Sequence, residues 1–282
     1  ARLLPTGGEV ARLHPEDVQA YHAACYRPER ATLVVVGDVR PAAIVERIHH
    51  LFGRWPAASL DPGTSLQTAP ADPVPVASPL GTKIHWIASP AAVQATLLVG
   101  RVATTRADAA YLPLTLANSI LGGDSLSSRL MASLREKLGY AYTPVSNCTA
   151  FLGPGTLEVA VETRNAVCGP ALKQVFFELD RLAYEGVTPE ELLLAKNRFC
   201  VGRLLSAQSR FGLARQLLDT VLYEEERNAL CRRVEAVSMP DIRKVAGQYM
   251  NSSHFAVVAV GDAAILAQLR DLREVHSLNE AE

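Results

Sequence analysis

One segment of this chain occurs twice, and that repetition limits the fold more than any other feature. Residues 238–272 repeat residues 14–52 in weak form. Asp17-Val18 through Tyr26 corresponds to Asp241-Ile242 through Tyr249, and ATLVVVGD (31–38) corresponds to FAVVAVGD (255–262). An amphipathic helical pattern follows each Gly-Asp, IVERIHHLF in one place and ILAQLRDL in the other. A helix, strand, Gly-Asp, helix unit thus stands at two places about 224 residues apart. Self-similarity on that scale points to duplicated architecture. The simplest account is two copies of one domain, with residues 1–55 as the tail of the first copy and 83–282 as a complete second copy. Between them, at 56–82, fall Pro56, Pro62, Pro70, Pro73, Pro75 and Pro79. Proline at that density resists helix and sheet, so the stretch is expected to be an extended, exposed connector.

The local patterns give a sequence of elements. A helix is expected over 15–26, where Pro15, Glu16 and Asp17 suit a helix start. A strand follows at 31–36, then a helix over 41–53 running from Pro41 to Gly53. Beyond the connector, strands are expected at 83–88 and 93–102 and a helix at 107–121. Gly153-Pro154-Gly155 suits a hairpin before the alternating strand TLEVAVET at 156–163. Helices follow at 168–185, from Thr188-Pro189-Glu190-Glu191 onward, and at about 210–226. Thr188 and Glu191 have the spacing of a capping box. This order makes the fold class α+β, with a largely antiparallel sheet and helices packed on one face.

The 282 residues carry a net charge of −1, so nothing points to nucleic acid or an anionic membrane surface. No apolar run approaches the ~20 residues of a membrane span. The five cysteines are scattered singly with no C-x-x-C, and they read as small buried thiols rather than an oxidised framework. The first ten residues, ARLLPTGGEV, contain neither an initiator Met nor an apolar signal-peptide core. They are expected to be the interior of a longer protein, with the compartment open between periplasm and cytoplasm.

The run from Ser127 to Ser146, SSRLMASLREKLGYAYTPVS, is the most informative for chemistry. Leu126, Leu130, Leu134 and Leu138 recur every four residues and predict an amphipathic helix, with Arg129, Arg135, Glu136 and Lys137 off its apolar stripe. Gly139 sits where a helix ends in a left-handed residue. Tyr140, Tyr142 and Val145 lead into an extended segment. Arg135 therefore lies near a helix end and Tyr142 just past the turn.

This run resembles the second, non-zinc half of the insulinase-like (M16, pitrilysin/processing-peptidase) zinc peptidases, whose pattern is roughly S-x-L-x-x-x-L-R-E-x-x-G-L-A-Y-S-V. Tyr140 replaces the usual aliphatic residue and Thr143-Pro144 replaces Ser-Val. Blocks in the family's order extend the resemblance from HPEDVQAYHAACYRP to the final VGD, nearly the whole chain. It implies duplicated domains joined by a linker, a peptide or unfolded polypeptide as substrate, and a zinc-binding half supplied in cis or in trans. It also implies that Arg135 and Tyr142 face the substrate peptide carbonyl. The alternative it allows is an inactive peptide-binding or assembly subunit.

The zinc chemistry of that family needs an H-x-x-E-H helix. His14, His22, His49, His50, His85, His254 and His276 form no H-x-x-E-H and no H-E-x-x-H. His49 and His50 are adjacent and project about 100° apart on a helix. No metal site is expected in this chain. Its zinc would lie in a removed half or a partner chain, or the motif is degenerate. Gly123-Asp124-Ser125-Leu126 spells the nucleophile block of a serine esterase family, but no D-x-x-H follows to supply a base. Gly122-Gly123 is better read as a tight turn.

Overall fold

The computed structural model describes residues 7–55, 83–123, 126–224 and 229–278. The proline-rich stretch expected as a connector lies outside the described residues, as do Asp124 and Ser125. The chain divides into two compact units, Ala1–Asp72 with Ala207–Leu218, and Pro73–Ser206 with Asp219–Glu282.

In the first unit α1 (Gly7–Val10) precedes α2 (Pro15–Cys25), a 3₁₀ turn at Pro28–Arg30, and α3 (Pro41–Phe52). The expected helices appear within a residue of their predicted ends. The start of α2 is held by Asp17, whose Oδ2 accepts the His14 N–H at 2.9 Å. The predicted strand at 31–36 is not a strand. Its pattern is correct for one, but no described strand forms a ladder with it, and Leu33 and Val35 stand 58% and 45% exposed. Strand identity requires a neighbour to complete the ladder.

In the second unit six strands form one sheet: β1 (Ile84–Ala88), β2 (Gln94–Val102), β3 (Val145–Cys148), β4 (Thr156–Arg164), β5 (Ala256–Gly261) and β6 (Val275–Leu278). Their order is β3-β4-β2-β5-β1-β6. The ladders β3–β4, β4–β2 and β2–β5 are antiparallel, while β1 runs parallel to both β5 and β6. The strand repeated from the first unit, β5, is thus an interior strand paired on both edges. The edge strand β6 was not anticipated; VHSL is too short and polar to announce itself.

Alternation along the strands decides the layers. Ala95, Leu97 and Val99 on β2, Leu157, Val159 and Val161 on β4, and Val257 and Ala259 on β5 are buried. They share one core with Leu172, Val175 and Leu179 of α5 (Cys168–Glu185) and Ile242, Val245 and Ala246 of α9 (Met239–Tyr249). The remaining helices of this unit are α4 (Tyr111–Asn118), α6 (Pro189–Ala207), α8 (Ala229–Ala236) and α10 (Ala264–Arg270), while most of α7 (Arg210–Leu222) belongs to the first unit. The start of α9 repeats the arrangement seen on α2, with Asp241 Oδ2 accepting the Ser238 N–H at 2.8 Å. The predicted capping box on α6 is present: Glu191 N–H donates to Thr188 Oγ1 at 3.2 Å, and Thr188 N–H donates to a Glu191 carboxylate oxygen at 2.8 Å.

The predicted helix ending at Leu138 is wound differently. Ser119–Gly123 and Met131–Lys137 are π-helical turns, a rare winding that is enriched at functional sites. Leu130 and Leu134 are buried as the stripe predicts, but Leu126 is 73% exposed, so the four-residue stripe begins one turn later. Arg129 also departs from its expected surface position. Its side chain is only 8% exposed.

Candidate functional site

The π-helical turn Met131–Lys137 carries Arg135 and closes on itself at its C-terminal end. Gly139 N–H donates to the Arg135 carbonyl, and Tyr140 and Ala141 N–H both reach the Leu134 carbonyl. Gly139 makes this possible with φ of +61°, a left-handed conformation that costs glycine least. The chain then lies along β4: Ala141 pairs with Thr163, and Thr163 Oγ1 donates to the Tyr140 carbonyl at 2.7 Å. This docking fixes where Tyr142 emerges.

Arg135 and Tyr142 meet. The guanidinium carbon lies 4.4 Å from the centroid of the Tyr142 ring, and such a cation–π contact contributes about 0.5–1 kcal/mol at an exposed site. Tyr142 is 75% exposed. Arg135 makes one long contact, from Nη1 to Met131 Sδ at 3.9 Å. Among the described residues neither polar end has an oxygen partner inside the protein, so both are available to a ligand. They line an open cleft of about 500 Å³ with Gly139, Tyr140, Ala141, Thr143, Gln94, Glu162, Thr163 and Arg164.

Sequence reasoning missed Gln94, Glu162 and Arg164. Strand pairing brings them in: Gln94 lies opposite Arg164 and Thr96 opposite Glu162 in the β2–β4 ladder. Alternation along β4 puts Glu162 and Arg164 on the exposed face, a signal that does not make them neighbours of Tyr142. The cleft thus holds two guanidinium groups and one carboxylate, and none of the three is in an ion pair among the described residues. It offers the unsatisfied donors of Arg135 and Tyr142 side by side, an arrangement able to bind a carbonyl oxygen as charge grows on it.

The sequence profile described as the peptidase M16 inactive domain matches residues 12–199. The chain belongs to that family. An uncharacterised zinc protease of Streptomyces coelicolor is 24% identical to this M16 domain over 253 residues, covering 86% of this chain and 53% of that protein. One from Mycobacterium leprae is 27% identical over 270 residues, covering 91% and 56%. The crystal structure of a peptidase M16 inactive domain from Pseudomonas fluorescens superposes with a TM-score of 0.73 at 22% identity, over 91% of this chain and 59% of that one. The chain spans about half the length of the curated relatives it matches.

Relatives called zinc proteases raise the question of a metal here. Among the described residues no group of three or more His, Cys, Asp or Glu stands close enough to hold an ion. His85 and His276 face each other across β1 and β6 with ring centroids 5.9 Å apart, and both ring nitrogens of His85 are buried without a partner. Two imidazoles fall short of the three protein ligands of a catalytic zinc. These residues do not fit the family's metal. Among the described residues no helix is long and apolar enough to cross a membrane.

The segment leading into the π-helical turn of this M16 domain is anchored by an ion pair. Arg129 Nε and Nη2 each donate to one Glu191 carboxylate oxygen at 2.7 Å, and Nη2 also donates to the Gly186 carbonyl at 2.9 Å. This two-pronged geometry is the strong form of an ion pair. It ties the start of the π-helical turn to the junction between α5 and α6.

Proposed function

We propose that this chain is the non-metal half of an M16-type zinc peptidase, closing a chamber over an unfolded peptide. Arg135 and Tyr142 would each donate a hydrogen bond to the carbonyl of the bond being cut. Water or hydroxide attack on a peptide carbonyl moves negative charge onto its oxygen, and donors already in place stabilise that charge without reorganising. The observation that carries this reading is the pairing of two unsatisfied donors, from a helix end and from the segment after its turn, in one cleft. The zinc and the general base belong to another half, in cis or in trans.

The expected result for the isolated chain is no stoichiometric zinc and no peptide cleavage. Addition of a zinc-bearing M16 half should restore cleavage. Metal analysis finding one tightly held zinc per chain, or cleavage by the chain alone that a chelator abolishes, would overturn the division of labour.

Residues 1–55 are proposed to be the tail of a first repeat, joined through 56–82 to the second domain at 83–282. The same order of helix, 3₁₀ turn, extended segment and helix in both places supports this. The counterpart of 31–36, β5, is paired on both edges, so 31–36 is expected to need strands from elsewhere. In this chain alone the expected outcome is a two-fold dimer through that segment. The check is mass in solution with amide exchange at Leu33–Val36. A monomer whose amides there exchange freely would refute it.

A further inference from the structure

Cys200 and Cys231 stand about 30 residues apart in sequence and belong to no thiol motif. The fold brings them together between α6 and α8. Lys196 Nζ donates to the Glu235 carbonyl at 2.8 Å, which ties the middle of α6 to the end of α8. One helical turn onward from Lys196 stands Cys200, and one turn back from Glu235 stands Cys231. Residues four apart share a helix face. The same two faces therefore present both thiols, and Cys231 lies near enough to raise the Cys200 thiol. Both cysteines are free and half-buried, and Cys200 packs on the margin of the core.

We propose that Cys200 and Cys231 form a dithiol site that a small-molecule disulfide oxidises to a bond joining α6 to α8. A thiolate of the pair attacks one sulfur of the reagent RSSR, breaking its S–S bond and releasing RS⁻. The second cysteine, as thiolate, then attacks the protein sulfur of the mixed disulfide and displaces the other RS⁻. Two protein thiols and RSSR become one protein disulfide and two RSH. The protein loses two electrons, the reagent gains them, and the thiol protons end on the released RSH. The bond would close a loop of about 30 residues holding the end of α6 and all of α7. A loop closed in this way narrows the unfolded ensemble and opposes local opening. A reducing compartment keeps the dithiol; an oxidising one closes it.

The surroundings set the rate. Burial first, then the neighbouring Cys231 and the Glu235 charge, push the Cys200 thiol up to about 12 against an opposing Arg203. Its thiolate is scarce near neutrality, so closure should be slow there and quicken as the solution is made alkaline.

The experiment incubates the full chain in oxidised and reduced glutathione at stepped ratios, alkylates free thiols and maps peptides without reduction. A cross-linked peptide joining Cys200 and Cys231 should appear, and both thiols should be lost together. Tryptic cleavage between α6 and α8 should slow relative to the reduced protein. Cys200→Ser and Cys231→Ser, each confirmed folded by circular dichroism, should abolish the cross-link and leave the remaining cysteine open only to a mixed disulfide with glutathione. Folded wild-type protein that never yields the 200–231 peptide, or that couples either residue to Cys25, Cys148 or Cys168 instead, would overturn the proposal.

Discussion

In the proposed assembly of this chain with a zinc-bearing M16 half, Arg135→Ala and Tyr142→Phe should each slow peptide hydrolysis by roughly 10²–10³, the usual loss when one donor to a developing oxyanion is removed. The fall should lie in kcat more than in KM, because the contact strengthens as charge appears on the carbonyl oxygen. Arg135→Lys should recover part of the loss, since lysine keeps the charge but not the planar group that stacks on Tyr142. The guanidinium sits 4.4 Å from the Tyr142 ring centroid, so each side chain positions the other. The double variant should therefore lose less than the product of the single losses. Folding is not at stake, since Tyr142 is exposed, Arg135 is partly so, and losing their contact costs only about 0.5–1 kcal/mol. Unchanged turnover in the double variant would sink the catalytic reading and favour an inactive peptide-binding or assembly subunit.

Glu191→Ala should destabilise the second unit by about 3–5 kcal/mol, the cost of leaving a buried ion unpaired. For a domain of this size that lowers Tm by about 10 °C. The Arg129 side chain is 8% exposed and its Nη1 is already buried without a partner, so little water can replace the lost carboxylate. Glu191 also accepts the Thr188 N–H, and its loss removes that half of the α6 capping box. Replacing both Arg129 and Glu191 with leucine should cost less than removing Glu191 alone, since no charge is then stranded. A loss below about 1 kcal/mol for Glu191→Ala would show that the pair is solvated and contributes as little as a surface ion pair.

The same pair should make stability sensitive to acid. Burial pushes the Glu191 carboxyl up, but the Arg129 hydrogen bond, the Thr188 N–H and the Arg129 and Arg181 charges together outweigh it and hold it below its ordinary value. A carboxylate depressed in the folded state contributes stability that is fully present above its unfolded pKa. That contribution disappears as the pH falls through the lower, folded value. Denaturation midpoints followed down through the carboxylate range should fall more steeply in the parent than in the Arg129, Glu191 double leucine variant.

Residues close in sequence were legible without coordinates. Leu130, Leu134, Gly139 and Tyr142 are related by helix period and turn chemistry alone, and those are short-range properties of the chain. The α6 capping box spans Thr188 to Glu191, and α5 runs over the predicted residues 168–185 for the same reason. So the amino-acid sequence determined the main helices, the alternating strands and the placing of Arg135 near Tyr142. Only the tertiary structure decided what depends on distant partners. It put Gln94, Glu162 and Arg164 beside Tyr142 through the β2–β4 ladder, and buried Arg129 against a glutamate about 60 residues away. It also brought the Cys200 face of α6 to the Cys231 face of α8 through the Lys196–Glu235 contact. It made β5 an interior strand while leaving its repeat at 31–36 unpaired among the described residues. The same local pattern has two outcomes because a strand exists only when a neighbour supplies its hydrogen bonds, and no local pattern carries that neighbour.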